Sequence, residues 1–481
     1  MAEENTHEEL FYEKFPYEIR FLLLGKNRRK VLMTRDGGEW DLPVVEYQSK
    51  SGRNLATRCC HDMGKAFSGE CEVRFAAVIE LLGKWLVWSR KKKKKRAHAM
   101  LVLAECVSHE DVENLVLPHD SEWKNSSFVS SILSAYKENI PLRSLFALVA
   151  GAMAPSTERL SSFKDPRYKF GWYRKAASLL TSTAVADGAK HIGTVSQVQV
   201  SETSTVLRTE SSLGYYYLKS PTHGCEETSI THKVAELLPL VCPEVLNICT
   251  SLNCFVTRGL GLPIKQTEYR VIVRKLGYLH FESLSHIEKL RSCGCPVRDL
   301  DKLSKKIDVW AEGREFTRGD PIAEQQMREL KPLLKRMCAQ LASLDIPLTL
   351  IHGDVARSNS ARTHTQETDA LLFDWEFACI SHPLFDFHRI ADESKGSIMI
   401  DEYLIKWFPL EQLEEARKAY EIGVHLGYFV KVWALSDRLE ESAPQLVSPL
   451  AFWARELLRD RYWALVSRIA DIAGSAAGEG S

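Results

Sequence analysis

The first third of the chain alternates short apolar runs with turn residues, a pattern that predicts β-strands. Many short strands around one helical pattern favour an α+β sandwich. Residues 153–169 are polar and broken by Pro155 and Pro166, so we place a linker at 146–168. The strand-like runs cover 19–24, 30–33, 40–43, 73–82, 85–88 and 100–104, and the helical pattern covers 54–67.

A helix and three strands are predicted after the linker. Residues 172–180 have the spacing of an amphipathic helix, and strands are expected at 196–200, 204–208 and 215–219. The rest of the chain is mostly helical in pattern. Just before residue 345, apolar residues recur at spacings of three and four, which predicts a buried helix face. This stripe consists of Met327, Leu330, Leu334, Met337, Leu341 and Leu344.

Composition narrows the class of protein. The 481 residues are expected to form two or three domains. The 63 basic and 63 acidic residues cancel, and no basic stripe interleaved with aromatic residues occurs, so neither nucleic acid nor a membrane is an expected partner. The acidic N-terminus does not resemble a secretory signal, and no apolar run reaches the length of a membrane span. We therefore expect a cytoplasmic protein.

Two further features bear on the compartment. The basic run from Lys91 to Arg96 is expected to be a solvated hairpin loop, with a nuclear-import signal or a polyanion contact as alternatives. The 12 cysteines lack paired metal-binding spacing. Free thiols in a reducing compartment fit this distribution better than disulfides or zinc sites do.

The strongest chemical pattern lies between residues 350 and 386. Two apolar runs predict buried strands, with Asp354 in a glycine turn after the first and Asp374 directly after the second. Asn359 lies five residues after Asp354. Phosphoryl transfer needs oxygen ligands for magnesium and a carboxylate that accepts the proton of the acceptor hydroxyl. The pattern predicts Asp354 as that catalytic base, and Asn359 and Asp374 as magnesium ligands.

This stretch resembles the catalytic and metal-binding segments of the aminoglycoside phosphotransferase and choline kinase-like family, a branch of the protein-kinase fold. The resemblance rests on HGD, an asparagine five residues after its aspartate, and a hydrophobic-Asp-Trp-Glu segment. It implies that His352 and Asp386 support the loop. The family often has histidine two residues after the base, where this chain has Ala356. The adjacent Arg357 is either a contact for a phosphate or an anionic substrate, or a surface arginine.

The resemblance also implies a nucleotide site. Lys219 matches the lysine that pairs with nucleotide phosphates, and Glu227 matches its partner carboxylate, with Glu226 as the rival. Residues 252–261 match the hinge between two lobes. The turn that covers the phosphates corresponds to Ser201, Thr203 and Ser204.

Three residues near the end of the chain are candidate contacts for the acceptor, since the C-terminal helices shape the acceptor site in related kinases. They are His388, Asp437 and Arg438. For each of the three, a surface role is the stronger expectation.

The N-terminal region bears a weaker resemblance to a Nudix domain of the diphosphoinositol-polyphosphate type. The motif WDLPVVE stands in place of its glycine-rich turn, and TRCCHDMG stands where its catalytic helix carries metal-binding glutamates. That helix offers Thr57, Arg58, His61 and Asp62 instead. A hard cation needs clustered carboxylates, so we expect this domain to lack hydrolytic activity.

The predicted fold class is α+β, with an N-terminal Nudix-like α/β sandwich followed by a bilobal protein-kinase-like domain with a helical C-lobe. The expected function is ATP- and magnesium-dependent phosphorylation of a hydroxyl group on a small molecule. A non-catalytic nucleotide sensor or scaffold, and a diphosphoinositol or dinucleotide hydrolase, stay open as alternatives. The sequence identifies neither the acceptor, nor the choice between ATP and GTP, nor the oligomeric state. The expected segments are the Nudix-like domain at 1–145, the linker at 146–168, the N-lobe at 169–262, the C-lobe at 263–472 and a disordered tail at 473–481.

Overall fold

The chain divides into two compact units in the computed structural model. Among the described residues, the first unit contains those up to 221 and 249–256, and the second contains 225–248 and 257–442. The structure describes residues 17–24, 30–36, 39–41, 44–47, 73–87, 95–106, 121–125, 166–168, 172–200, 204–221, 225–259, 261–265, 268–315, 321–362, 369–394 and 400–442.

A seven-stranded sheet occupies the N-terminal part of the first unit. Its main path runs β3-β2-β1-β6-β5, while β4 pairs with β1 and β7 pairs with β2. Strands β1 and β6 are parallel, and β5 and β6 are antiparallel. The strands are β1 (Tyr17–Leu24), β2 (Lys30–Asp36), β3 (Glu39–Asp41), β4 (Val44–Tyr47), β5 (Val73–Val87), β6 (Lys95–Cys106) and β7 (Ser121–Asn125).

Two sequence-based expectations for this sheet were wrong. Residues 73–82 and 85–88 were expected to form two strands, but β5 is one long strand whose pairing with β6 has three register shifts. Lys95 and Arg96 were expected in a loop, but they begin β6, because they pair with Val87 and Leu86 of β5. The helix predicted at 54–67 lies outside the described residues.

The remainder of the first unit combines one helix with a second group of strands. Helix α1 (Trp172–Ala186) precedes β8 (Ser196–Val200), β9 (Ser204–Ser211) and β10 (Gly214–Pro221), as the sequence predicted, although α1, β9 and β10 are longer than expected. Strand β12 (Cys254–Arg258) joins them in the order β12-β10-β9-β8. The buried Tyr173 hydroxyl donates to the Val195 carbonyl at 2.7 Å, and the Tyr216 hydroxyl donates to the Asp187 carboxylate at 2.6 Å. These bonds fix α1 against the strands.

The second unit is mainly helical. The stripe predicted before residue 345 lies on α6 and is buried from Met327 to Leu341, whereas Leu344 follows the end of α6 and is partly buried. The helices are α2 (Glu227–Leu237), α3 (Tyr269–Ser283), α4 (Ile287–Ser292), α5 (Leu300–Ala311), α6 (Pro321–Ala342), α7 (Phe387–Ser394), α8 (Asp401–Leu404) and α9 (Leu413–Ser442).

Short strands carry the segments of chemical interest. Strand β14 (Thr349–Ile351) pairs with β17 (Cys379–Ser381), and β15 (Ser360–Arg362) pairs with both β13 (Leu262–Pro263) and β16 (Ala370–Leu372). Strand β11 (Val245–Cys249) follows α2. The two predicted buried segments are therefore present as β14 and β16, shortened at their ends.

Two of the wider expectations can be compared with the described residues. Among the described residues, no helix is both long enough and apolar enough to cross a bilayer. The cysteines with described side chains are free thiols, as expected; they are Cys225, Cys242, Cys249, Cys254, Cys293, Cys295, Cys338 and Cys379.

Candidate active site

The turn that carries Asp354 is fixed by its backbone. Gly353 has a φ of 77°, and a Cβ atom there would lie 2.3 Å from the carbonyl oxygen of Phe377, so a larger residue does not fit. The fully buried carboxylate of Asp386 accepts hydrogen bonds from the backbone nitrogens of His352 at 2.8 Å and Gly353 at 2.6 Å. The direction of the chain entering Asp354 is therefore set by both sterics and hydrogen bonding.

His352 and Asp386 act as the structural supports that the family resemblance implied. The Nε2 atom of His352 lies 2.9 Å from the carbonyl of Phe373, and its Nδ1 atom accepts from the backbone nitrogen of Asp354 at 3.3 Å. Asp386 also lies 3.1 Å from Nε2 of the buried His280. His352 thus connects the Asp354 turn to the segment just before Asp374.

Asn359 lies against Asp354, as the sequence predicted. Its Nδ2 atom donates to the Asp354 backbone carbonyl at 2.9 Å and to carboxylate Oδ2 at 3.3 Å. The backbone oxygen of Asn359 accepts from the nitrogen of Phe373 at 3.0 Å, which places Asn359 beside the residue that precedes Asp374. Asp374 adopts a left-handed backbone conformation, with a φ of 72°. The predicted base and the two predicted metal ligands thus lie on two loops that are joined by hydrogen bonds.

Three carboxylates converge next to the loops that carry Asp354 and Asp374. Glu227, at the start of α2, and Asp374 and Glu376 each offer an oxygen, and these atoms all lie within 4.8 Å of one another. Such closely spaced hard oxygen ligands suit a divalent cation of the magnesium type, and a cation there also relieves the repulsion among them. Glu226, the rival of Glu227, is exposed and accepts a hydrogen bond from Ser229 at 3.3 Å.

The carboxylate of Asp354 is flanked by two cations that sequence analysis did not identify. Lys431 of α9 forms an ion pair with Asp354 Oδ1, and Nη1 of Arg389 on α7 lies 3.2 Å from both carboxylate oxygens. Burial opposes ionisation of Asp354, but the charges of Lys431 and Arg389 outweigh it and hold the pKa of Asp354 well below its usual range. Asp354 is therefore a carboxylate at neutral pH.

A second carboxylate organises the outer side of this cluster. Glu393 accepts from Nε of Arg389 at 3.0 Å, from the backbone nitrogen of Arg357 at 3.2 Å and from the hydroxyl of Tyr269 at 3.2 Å. The side chain of Arg357 is partly buried, and its charge acts on the Tyr269 phenol. Arg357 therefore belongs to the same charged cluster as Arg389.

The sequence carried a signal for one of the missed residues. Lys431 is the single charge in the apolar segment from Leu426 to Ala434, and a buried ammonium group needs a partner. Arg389 and Glu393 lie on a short helix of mixed composition and carry no comparable signal.

The candidate acceptor contacts have different surroundings from those expected. His388 is 1% exposed, so the expected surface role was wrong. Its Nδ1 atom lies 2.9 Å from the Phe385 carbonyl, and burial, with a contribution from Lys431, lowers its pKa to about 4. Asp437 accepts from Arg298 at 3.0 Å. The side chain of Arg438 lies outside the described residues.

Two of the nucleotide-side candidates, Lys219 and Ser204, belong to the first unit. Lys219 pairs with Val206 in the β9–β10 ladder and is partly buried, and Ser204 begins β9 with its side chain buried. Ser201 and Thr203 lie outside the described residues. The pairing of Lys219 with Glu227 stays a prediction.

Comparison with known proteins gives one family match. The model of the phosphotransferase enzyme family matches residues 194–428, which include β8 to β17 and most of the helices of the second unit. The matched region contains Lys219, Glu227 and the whole HGD–DWE stretch.

Three solved structures are similar to part of this chain. The ethanolamine kinase of Plasmodium vivax is 12% identical with a TM-score of 0.42, covering 69% of this chain and 94% of its own. A choline/ethanolamine kinase family protein of Mesorhizobium loti is 17% identical with a TM-score of 0.41, covering 61% and 94%. The GDP complex of aminoglycoside 2'-phosphotransferase-IIIa is 16% identical with a TM-score of 0.43, covering 60% and 99%. At these scores the similarities carry no argument about this chain.

Curated relatives of another kind match a shorter segment. Extracellular metalloproteinase 2 of Trichophyton tonsurans and of Arthroderma benhamiae are each 20% identical over 188 residues, 36% of this chain and 27% of theirs. The chain thus spans about a quarter of the length of these relatives. Its sequence contains no H-E-x-x-H motif of the kind that binds zinc in many metalloproteases.

Proposed function

We propose that this chain, whose residues 194–428 match the model of the phosphotransferase enzyme family, transfers the γ-phosphoryl group of ATP to a hydroxyl group of a small molecule. Magnesium is the proposed cofactor. The observation that carries the proposal is the ionised, buried Asp354, held in hydrogen-bond contact with Asn359 beside the three converging carboxylates.

Asp354 is the proposed catalytic base. Because its pKa is held low, it is a weak base in the resting enzyme, and its first task is to accept a hydrogen bond and orient the acceptor hydroxyl. The acceptor oxygen then bonds to the γ-phosphorus while the bond from phosphorus to the β,γ-bridging oxygen breaks. ADP leaves, and the hydroxyl proton passes to Asp354 and from there to solvent.

Asp374 and Asn359 are the proposed magnesium ligands, and the geometry adds Glu376 as a further oxygen donor. Bound magnesium supplies charge neutralisation at the phosphates. Lys219 is proposed to contact the phosphates, with Glu227 orienting it, and Ser201, Thr203 and Ser204 are proposed to line the turn above them. These roles follow from the resemblance and from the family match.

The test is a metabolite screen by mass spectrometry. The full chain is incubated with magnesium, ATP and a metabolite extract, and species that gain one phosphoryl group are recorded. Asp354→Asn keeps the size of the side chain while removing its charge, so the gain is expected to disappear. Asp301→Asn, an exposed aspartate on α5, is the matched control and is expected to behave as the unmodified chain does.

Two outcomes of this screen would contradict the proposal. A product that persists in Asp354→Asn contradicts the assignment of the base. If no product forms, and ATP still stabilises the unmodified chain in a thermal-shift assay, the nucleotide sensor is favoured over the kinase.

A further inference from the structure

The loop that follows Asp354 is bonded to one short helix, α7. Arg389 and Glu393 lie four residues apart on α7, so their side chains leave the same face of the helix. They form an ion pair in which Nε of Arg389 donates to Oε1 of Glu393 at 3.0 Å. Each member of the pair also bonds to the loop, Arg389 to side chains and Glu393 to the backbone.

The bonds of Arg389 reach two points of the loop. Its Nη1 atom donates to both carboxylate oxygens of Asp354 at 3.2 Å, and its Nη2 atom donates to the exposed Ser358 hydroxyl at 3.3 Å. Lys431 and Asn359 also contact the Asp354 carboxylate, so Arg389 is one of several partners. What distinguishes Arg389 is that all three of its guanidinium nitrogens are bonded, because this fixes the plane of the group and hence the direction of its bond to Asp354.

Glu393 connects that guanidinium to the backbone of the loop. Its Oε2 atom accepts from the backbone nitrogen of Arg357 at 3.2 Å and from the hydroxyl of the buried Tyr269 at 3.2 Å. Tyr269 is the first residue of α3, so a second helix fixes the carboxylate. One oxygen of Glu393 thus orients Arg389, while the other holds the loop just after Asp354.

We infer that Glu393 and Arg389 are positioning residues, which together set the orientation of the Asp354 carboxylate toward the acceptor hydroxyl. This inference rests on the proposed function and adds two residues to it. Asp354 acts by aligning that hydroxyl, and a displacement of about 1 Å in such an alignment lowers turnover about 100-fold. Because the two residues act through Asp354, their loss affects kcat and leaves the binding of ATP and acceptor intact.

The first experiment measures the loop in the full chain without any substrate. Glu393→Ala removes both oxygens, and alanine favours a helix, so α7 is expected to stay folded. The backbone amide of Arg357 is expected to exchange with deuterium about tenfold faster or more, the scale for loss of a hydrogen bond to a charged group. Mass spectrometry of peptides spanning residues 352–359 measures this. Glu415→Ala, exposed on α9, is the matched control. Unchanged exchange in Glu393→Ala overturns the inference.

The second experiment measures turnover with the acceptor that the metabolite screen identifies. Arg389→Lys keeps a positive charge but has a single nitrogen, which cannot occupy the three positions of the guanidinium. Arg389→Lys and Glu393→Ala are each expected to lower kcat about tenfold to 100-fold, with the KM values for ATP and acceptor unchanged. The double variant is expected to lose no more than the worse single variant, because both changes break the same connection. Arg336→Lys, exposed on α6, is the matched control for the arginine.

The kinetic outcomes separate this inference from the proposed function. Effects that multiply in the double variant assign separate roles to the two residues and overturn the inference. A rise in the KM for the acceptor with kcat unchanged indicates direct contact with the acceptor and overturns it too. If the unmodified chain transfers no phosphoryl group, the proposed function fails and this inference with it, and faster exchange then indicates a purely structural pair. Circular dichroism and a thermal-shift assay check that each variant is folded.

Discussion

At the scale of single residues, neighbouring charges determine the ionisation state of Asp354. Asp354 is buried, yet it is ionised because Lys431 and Arg389 are in contact with it. Motif spacing led to Asp354, Asn359 and Asp374 because these residues are close in sequence. Arg389 and Lys431 lie 35 and 77 residues away from Asp354 along the chain, so spacing within a motif could not predict their contact with it.

Buried histidines make stability depend on pH. Burial lowers the pKa of His388 from 6.5 to about 4, so the unfolded chain binds a proton more readily than the folded chain between these values. The contribution of His388 to the free energy of unfolding is therefore fully present above pH 6.5. It is lost as the pH is lowered toward 4. Between pH 7 and pH 5, the free energy of unfolding of His388→Gln is expected to fall by about 2 kcal/mol less than that of the unmodified chain. Urea unfolding at the two pH values measures this difference.

The control for that measurement is His232→Gln, since His232 is exposed on α2. It is expected to retain the full pH dependence. An equal loss of stability in His388→Gln and the unmodified chain contradicts the assignment of a neutral, buried His388.

The three converging carboxylates predict how activity depends on magnesium. Asp374→Asn and Glu376→Gln each remove one charge from the site and are expected to raise the magnesium concentration for half-maximal activity about tenfold or more. Glu415→Gln, at an exposed position of α9, is the matched control. Titration calorimetry with magnesium checks the binding itself. Unchanged magnesium dependence in both site variants is the result that argues against these ligands.

At the scale of elements, α9 is packed closely against the turn that holds Asp386. A Cβ atom at Gly423 would lie 2.4 Å from Cβ of Leu384, and one at Gly427 would lie 2.4 Å from the carbonyl oxygen of Phe385. The two glycines therefore allow α9 to approach the residues 383–386, whose last member fixes the Asp354 turn. The same helix carries Lys431. The packing of α9 against residues 383–386 therefore positions both Asp386, which holds the turn, and Lys431, which is paired with Asp354.

Gly427→Ala tests that close approach. The added methyl group requires the backbone of Phe385 to move, and overpacking of this kind costs about 1–3 kcal/mol. We expect this loss in urea unfolding together with reduced turnover, because Asp386 moves with the turn. Lys418→Ala, on an exposed position of the same helix, is expected to leave both unchanged. Full activity and stability in Gly427→Ala would show that α9 has room at this position.

Element types were predicted well where a local pattern decides them. The order of α1, β8, β9 and β10 and the buried stripe on α6 are confirmed, because amphipathic spacing is a property of neighbouring residues. Two strands merged into β5 because register shifts let pairing with β6 continue through the interruption. The end of the chain was expected to be mostly helical, and the described residues after Asp386 contain α7, α8 and α9.

At the scale of the whole molecule, residues 194–428 match the model of the phosphotransferase enzyme family, and a long N-terminal region lies ahead of them. The kinase-like fold of the C-terminal part is confirmed by that match. The Nudix-like character of the first 145 residues stays a prediction, and the described strands there form one seven-stranded sheet.

The N-terminal region is expected to contribute no hydrolysis. The segment from Thr57 to Asp62 lacks the glutamates that hold a metal in a Nudix enzyme. The full-length Asp354→Asn variant, incubated with magnesium and either a diphosphoinositol polyphosphate or a diadenosine polyphosphate, is therefore expected to release no product above the rate without protein. Phosphate release and chromatography of the nucleotides provide the measurement. Metal-dependent cleavage by this variant would restore the hydrolase alternative.

The central claim is tested most directly by following the γ-phosphate of ATP. The full chain and its Asp354→Asn variant are incubated with magnesium, γ-labelled ATP and a metabolite extract, and the label entering small molecules other than inorganic phosphate is measured. The account predicts transfer by the unmodified chain and a fall of about 100-fold or more in the variant, the scale expected for loss of a positioned base. Equal transfer by both proteins would contradict the role of Asp354, and no transfer by either would contradict the kinase itself.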